Sequence, residues 1–205
     1  MQPLHILGAS GHAKVIVALA HALGHPIAAL YDDRIREGDL PAVLGHSVET
    51  PVAGLPDTPQ TSAVIGIGSN AVRRTLADRF RRVHWEALIH PTAWVAPDAE
   101  IGPGSVIMAG AVVQPGARIG AHVIVNTLAS VDHDCVLEDY VHVAPGCHLA
   151  GNVHLGEGVF AGVGAVFTPG NQVGAWSTIG AGATVISSFP AGITAVGVPA
   201  RIRTT

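Results

Sequence analysis

Charge is scarce in this chain. Asp, Glu, Lys and Arg make up 13% of its 205 residues, and between positions 90 and 190 Arg118 is the single basic side chain. A surface that tracks a phosphate backbone needs clustered Lys and Arg, so nucleic acid is not expected as a partner, and a formal net charge of −4 adds no attraction for it. Cysteine is nearly absent too. Cys135 and Cys147 are the only two, too few for a disulfide scaffold, and the expected compartment is the reducing cytoplasm. No apolar run approaches the ~20 residues of a membrane span. The first residues lead straight into an apolar strand with no signal-peptide pattern, so no membrane insertion is expected. Low charge here does not mean disorder, because 48% of the residues are hydrophobic; 25 Gly and 14 Pro point instead to a turn-rich β architecture.

What the chain has in abundance is a period of six. From Val95 an aliphatic or similar residue recurs at every sixth position through Ile101, Ile107, Val113, Ile119, Val125, Val131, Leu137, Val143, Leu149, Leu155, Ala161, Phe167, Val173, Ile179 and Val185. Neither the 3.6-residue helix nor the 2-residue strand generates that repeat. It marks a solenoid whose coils bury their apolar faces only against one another. Four residues after each anchor the side chain is again small or β-branched, as at Ala111, Ala117, Val123, Cys135, Cys147 and Val153. Glycine often follows the anchor, and proline stands two after it at Pro97, Pro103, Pro115, Pro145 and Pro169. Those are corner residues. Three short strands and three corners make an 18-residue coil, so residues eighteen apart stack and residues six apart lie on adjacent faces. Cys135 and Cys147 then face inward on different faces as separate thiols. Two places depart from the rule, the small anchor Ala161 and Asn171 at an inward position; a bulge or a polar contact is expected near them.

Residues 1–85 carry no hexad. Leu4–Leu7 reads as a strand running into Gly8-Ala9-Ser10-Gly11-His12-Ala13, with a helix over 14–23. A second strand, 27–31, ends at Asp32-Asp33, a third covers 63–68, and a helix spans 70–82. Alternating strands and helices predict a small parallel sheet of Rossmann-like type. A glycine-rich strand-to-helix turn presents backbone N–H groups and a helix dipole to an anion, and acidic residues at the end of the second strand sit where a ribose hydroxyl is held. The spacing Gly8-x-x-Gly11-x-Ala13 departs from G-x-G-x-x-G, which argues against an ordinary dinucleotide site; a tight turn with no ligand is the plain alternative. Three segments result: an α/β domain over 1–85, a β-helix over 90–190 and a C-terminal tail over 191–205.

The richest stretch for chemistry is Asn126 to Cys135 with His142 beyond it. Asp132-His133-Asp134 occupies a corner where other hexads place proline, and a His between two carboxylates is suited to act as a general base. By itself, His133 reads better as a solvated corner residue. Cys135 is the alternative nucleophile, and its inward position argues against it. His142, His148 and His154 are six apart, which places them at successive corners rather than on one spot, so no metal site is expected unless a neighbouring subunit supplies ligands.

The string Asn126…Ser130-Val131-Asp132-His133-Asp134-Cys135, then His142 and Ala150-Gly151-Asn152-Val153, resembles the core of bacterial nucleotide-sugar N-acetyltransferases. These are hexapeptide-repeat enzymes with sialic-acid O-acetyltransferase-like relatives. Gly8-Ala9-Ser10-Gly11-His12, Asp32-Asp33, Gly66-Ile67-Gly68-Ser69-Asn70, Gly180 to Val185 and Val196 to Ala200 match in the same order. The resemblance implies a left-handed parallel β-helix and acetyl-CoA-dependent acetylation of a 4-amino sugar on UDP or GDP. Under it His133 is the base and Asp134, shorter than the Glu of many relatives, raises its basicity. Asn126 helps place the sugar, while Ser10, Gly11, His12, Asp32, Asp33 and Gly68 hold the nucleotide sugar. His142, Gly151, Val163 and Ala181 line the acetyl-CoA groove between subunits of a homotrimer. Transfer to a sugar hydroxyl needs the same base and remains an alternative, as does a non-catalytic or zinc-binding trimer.

Overall fold

A computed structural model of the chain describes residues 2–34 and 42–203. It divides into two compact units, Met1–Leu88 and Ile89–Thr205. Of the Pro- and Gly-rich stretch between the second and third expected strands, residues 35–41 lie outside the described residues.

In the first unit, β1 (Leu4–Leu7), β2 (Ile27–Tyr31), β3 (Val48–Glu49), β4 (Ser62–Ile65) and β5 (His84–Trp85) form one parallel sheet in the order β3-β2-β1-β4-β5. The chain moves outward from β1 through β2 and β3, then returns to the other side of β1 as β4. Strand order therefore reverses between β1 and β4, the kind of boundary at which open α/β sheets bind ligands. Helix α1 (Gly11–Ala22) begins three residues before the expected start at Lys14. The second half of the glycine-rich string, Gly11 to Ala13, is thus itself the first helical turn, with Ser10 in an extended conformation at the cap. Helix α2 (Asn70–Arg79) stops short of the expected Arg82. Phe80 leaves helical geometry and is buried in the core with Leu7, Ala63 and Val83. Burying one aromatic ring stabilises by more than another helical turn does.

The second unit is a left-handed parallel β-helix. Sixteen two-residue strands, Trp94–Val95 through Thr184–Val185, follow one another every six residues and alternate among three sheets. The first face takes the strands at 94, 112, 130, 148, 166 and 184, the second those at 100, 118, 136, 154 and 172, the third those at 106, 124, 142, 160 and 178. Pairing is parallel and in register at eighteen, as in Val112↔Ser130 and Ser130↔His148. From Ile107 to Val185 every anchor is at most 3% exposed. Ala161 causes no bulge: Val143↔Ala161 and Ala161↔Ile179 stay in register. Asn171 does make the expected polar contact, its Nδ2 donating to the Thr168 carbonyl at 2.8 Å and to Thr168 Oγ1 at 2.6 Å. Cys135 and Cys147 are buried free thiols.

From Ile101 to Ile179 the third residue after each anchor is left-handed. Positive φ recurs at fourteen consecutive such sites from 104 to 182, of which eight are Gly and the rest are His122, Leu128, Asp134, Tyr140, Asn152 and Trp176. A tight corner between consecutive strands on adjacent faces needs that backbone, and glycine adopts it at no steric cost.

Residues 191–203 are part of the solenoid rather than a separate tail. Thr194–Val196 pairs in parallel with Thr178–Ile179, and Arg201–Ile202 turns back to pair antiparallel with it. Ala195 and Ala200 are buried in the same core, which is what holds the segment down.

Candidate active site

His133 stands on the edge joining the first face to the second, following Val131. Its backbone N–H donates to Asp132 Oδ1 at 2.7 Å, and its Nδ1–H donates to Asp134 Oδ2 at 2.8 Å. With the proton on Nδ1, the lone pair is on Nε2, and the ring is 55% exposed. The Asp134 hydrogen bond, aided by the charges of Asp132 and Asp134, raises the imidazole pKa above 6.5. The pair is seated between two glycines. A Cβ on Gly151, one coil above, would lie 2.4 Å from Cε1 and Nε2 of His133, and one on Gly116, one coil below, would lie 2.6 Å from Asp134 Oδ1. Gly151 is where the corner proline column gives way so that a ring can rest on bare backbone.

Cys135 is buried and its thiol donates to the Ala150 carbonyl at 3.2 Å. Burial pushes that thiol up to about 11, so it is not a thiolate at neutral pH.

A second group occupies a different edge, between the third face and the first. Asn126 follows Val125 there, and Val163 and Ala181 stack on one another at the same corner, both exposed. His142 lies beside them on the third face, 8% exposed, with Asn126 Nδ2 at 3.2 Å from its Nε2 and Phe160 edge-on at 5.2 Å. One chain therefore brings His133, Asp134 and Gly151 together, and separately Asn126, His142, Val163 and Ala181.

His142, His148 and His154 correct the expectation of corner positions. Each is the outward residue of a strand, one on each of the three faces. The inward slot goes to the anchor that follows, so the residue before it must face out. His148 Nδ1 meets Ser130 Oγ at 2.8 Å and His154 Nε2 meets Glu138 Oε1 at 2.8 Å. Among the described residues no three metal-ligating side chains converge.

In the first unit the ends of β1 and β4 come close because both turn residues are glycine. A Cβ on Gly8 would be 2.6 Å from Ile67 Cγ1, and one on Gly66 3.1 Å from the Ala13 backbone. Beside them is a cavity of about 160 Å3 lined in part by Tyr31, Asp32, Asp33, Val52 and Ile67. Asp32 is not a bare carboxylate. Arg34 donates to it from Nε, Nη2 and its backbone N–H, and Ala9 N–H donates at 2.9 Å. The Arg34 hydrogen bonds hold its pKa down at about 2. Asp33 Oδ1 accepts from Val52 N–H at 2.6 Å. Both acids therefore also pin the turns that frame the cavity. His12 is pushed down to about 4 by burial, with the Arg73 charge adding to it, so it is neutral at pH 7. Arg73, 1% exposed, donates to the carbonyls of Gly68 and Ile67. Ser10 and Gly11 supply the half-buried cap and the exposed first residue of α1.

Residues 3–80 match the model of the PglD N-terminal domain family. The acetyltransferase domain of PglB from Neisseria gonorrhoeae FA1090 is 39% identical, with 99% of this chain and 100% of that one covered at a TM-score of 0.92. PerB from Caulobacter crescentus, solved with CoA and GDP-perosamine, is 36% identical over 100% and 98% of the two chains, also at 0.92. The chain belongs to the hexapeptide-repeat nucleotide-sugar N-acetyltransferases. WeeI from Acinetobacter baumannii AYE is also similar, 28% identical at a TM-score of 0.87 over 99% of this chain and 100% of that one. In the solenoid the His133–Asp134 pair is exposed, with Asp132 bonded to the His133 backbone and Gly151 against its ring. Arg73 and Arg34, which hold turns of the front unit, were not apparent from the sequence. A buried arginine on a polar helix leaves no periodic mark.

Proposed function

We propose that the protein moves the acetyl group of acetyl-CoA onto the amino group of a nucleotide-linked 4-amino sugar, with His133 Nε2 as the general base. The observation that carries this reading is the 2.8 Å hydrogen bond from His133 Nδ1 to Asp134, which leaves Nε2 as an exposed lone pair. The sugar amine attacks the thioester carbonyl directly. Its N–H proton passes to Nε2, the C–S bond breaks, and the proton is returned to the departing CoA sulfur. Backbone N–H groups along the corner steady the oxyanion. A ping-pong route through Cys135 is disfavoured by its buried, protonated thiol.

CoA and GDP-perosamine bound to PerB, and acetyl coenzyme A bound to the Neisseria gonorrhoeae domain, support these two substrate classes. The cavity beside β1 and β4, lined in part by Asp32 and Asp33, is offered as the place for the nucleotide, with Ser10, Gly11 and His12 at the start of α1 and Gly68 in the turn before α2 as its further contacts. Because the His133 and His142 groups stand on different edges of one prism, a second copy completes the site, with His133 of one subunit facing the partner's cofactor groove in a closed three-fold ring. No helix of the described residues is long and apolar enough to cross a membrane; a cytoplasmic reaction fits a co-substrate made there.

The test is release of free CoA with UDP-, GDP- and dTDP-linked 4-amino sugars, with sialic acid alongside. Turnover of one amino sugar, lost by at least about 100-fold in His133→Ala, is expected. Absence of turnover with every amino sugar, or full activity in His133→Ala, refutes the reading.

A further inference from the structure

Asn126 and His142, expected to serve two different substrates, touch each other. Asn126 stands where the coils immediately before and after it place Met108 and Ala144. Its amide has one orientation. Oδ1 accepts the Thr127 backbone N–H at 2.8 Å, and Thr127 Oγ1 lies 3.4 Å from the same oxygen. The amide nitrogen must then face His142, 3.2 Å from Nε2. An amide NH2 donates and cannot accept, so Nε2 has to be the acceptor. That condition excludes the tautomer with hydrogen on Nε2, and it excludes the doubly protonated imidazolium as well. Phe160, edge-on to the ring at 85°, fixes its plane from the next coil.

We infer that Asn126 is a positioning residue that acts through His142, fixing that ring as a neutral imidazole with its proton on Nδ1. This rests on the acetyl-transfer reading above and extends it. The imidazole that lines the cofactor groove enters the reaction in one protonation state, set by an amide one coil away. It also makes the two residues a unit, so that substituting either disturbs the same substrate. Asp at position 126 presents an acceptor where the amide presents a donor, and the ring must respond by moving its proton to Nε2.

The test has two readouts. In protein with 15N-labelled histidine and no substrates, long-range 1H–15N correlations report which nitrogen of each ring is protonated; loss of one of the twelve patterns in His142→Gln assigns His142. Wild type should show Nδ1–H, and Asn126→Asp should show Nε2–H. Kinetically, Asn126→Asp should raise KM for acetyl-CoA by about tenfold, the scale of one exchanged hydrogen bond, and change KM for the amino sugar less than about twofold. Nε2–H in the wild type, an unchanged tautomer in Asn126→Asp, or a rise confined to the amino-sugar KM would each overturn the inference. The spectra need no turnover, so they stand or fall separately from the assignment of the reaction.

Discussion

Replacing Gly151 by Ala should damage catalysis without damaging the fold. The backbone of Gly151 is not in the left-handed region, so alanine is conformationally acceptable there. The substitution also restricts the unfolded chain, a gain of about 0.4–1 kcal/mol at a compatible site. What the methyl group meets is the His133 ring, at 2.4 Å from both Cε1 and Nε2. Non-bonded carbon atoms settle at about 3.5–4.0 Å, so the ring has to retreat by roughly 1 Å or more. The imidazole is the exposed end of a side chain and can swing away cheaply, which is why stability is spared. Nε2 goes with it. A displacement of that size at a reacting group costs roughly 100-fold in kcat. CoA release measures the rate and a thermal melt measures the fold. The decisive comparison is the same change in a His133→Ala background. If the methyl acts through the imidazole, it has little further effect there, whereas an effect through the cofactor persists undiminished. Wild-type kcat in Gly151→Ala, or equal losses in both backgrounds, refutes the seating of His133 on Gly151.

Three further outcomes follow from the same corner. Asp134→Asn removes the largest contribution that holds the His133 pKa up; since the neutral ring is the base, the acid limb of the kcat–pH profile should move to lower pH, and a profile that stays in place contradicts the role of Asp134. Asp134→Gly relieves a non-glycine residue at φ 59 and should stabilise the protein by about 1 kcal/mol while reducing kcat, read as a raised melting temperature with slower CoA release. Cys135→Ala should keep kcat within about threefold, and an acetyl-enzyme trapped on Cys135 by mass spectrometry would contradict direct attack.

The solenoid was legible because every coil solves one packing problem in the same six-residue phrase. Val113 and Val131 do identical work one level apart, so the pattern survives any single irregularity, Ala161 included. The front sheet was legible from its strand and turn punctuation, but helix ends were not: where α2 stops depends on Phe80 finding the core, which is tertiary. Within the site, the His–acid pair could be read because His133 and Asp134 are adjacent in sequence. Its seat could not, since Gly151 and Gly116 reach it from the coils above and below. Asp134 as a left-handed residue was readable in principle, from the eight glycines that share its phase three residues after the anchor. The double duty of Asp32 and Asp33 was hidden for a different reason: their partners Ala9 and Val52 are backbone amides, which no residue type announces.

Arg201–Ile202 has a consequence for the size of the molecule. A stack of equivalent coils contains nothing in its own geometry that limits its height, and each finished coil offers the next one a complete row of parallel hydrogen-bonding groups. On the third face the last strand runs backwards. A coil arriving from another copy of the chain in the sense of the solenoid would run antiparallel to that strand, so it could not continue the parallel ladder. Among the described residues, the reversal therefore ends the parallel ladder of the third face at Arg201–Ile202.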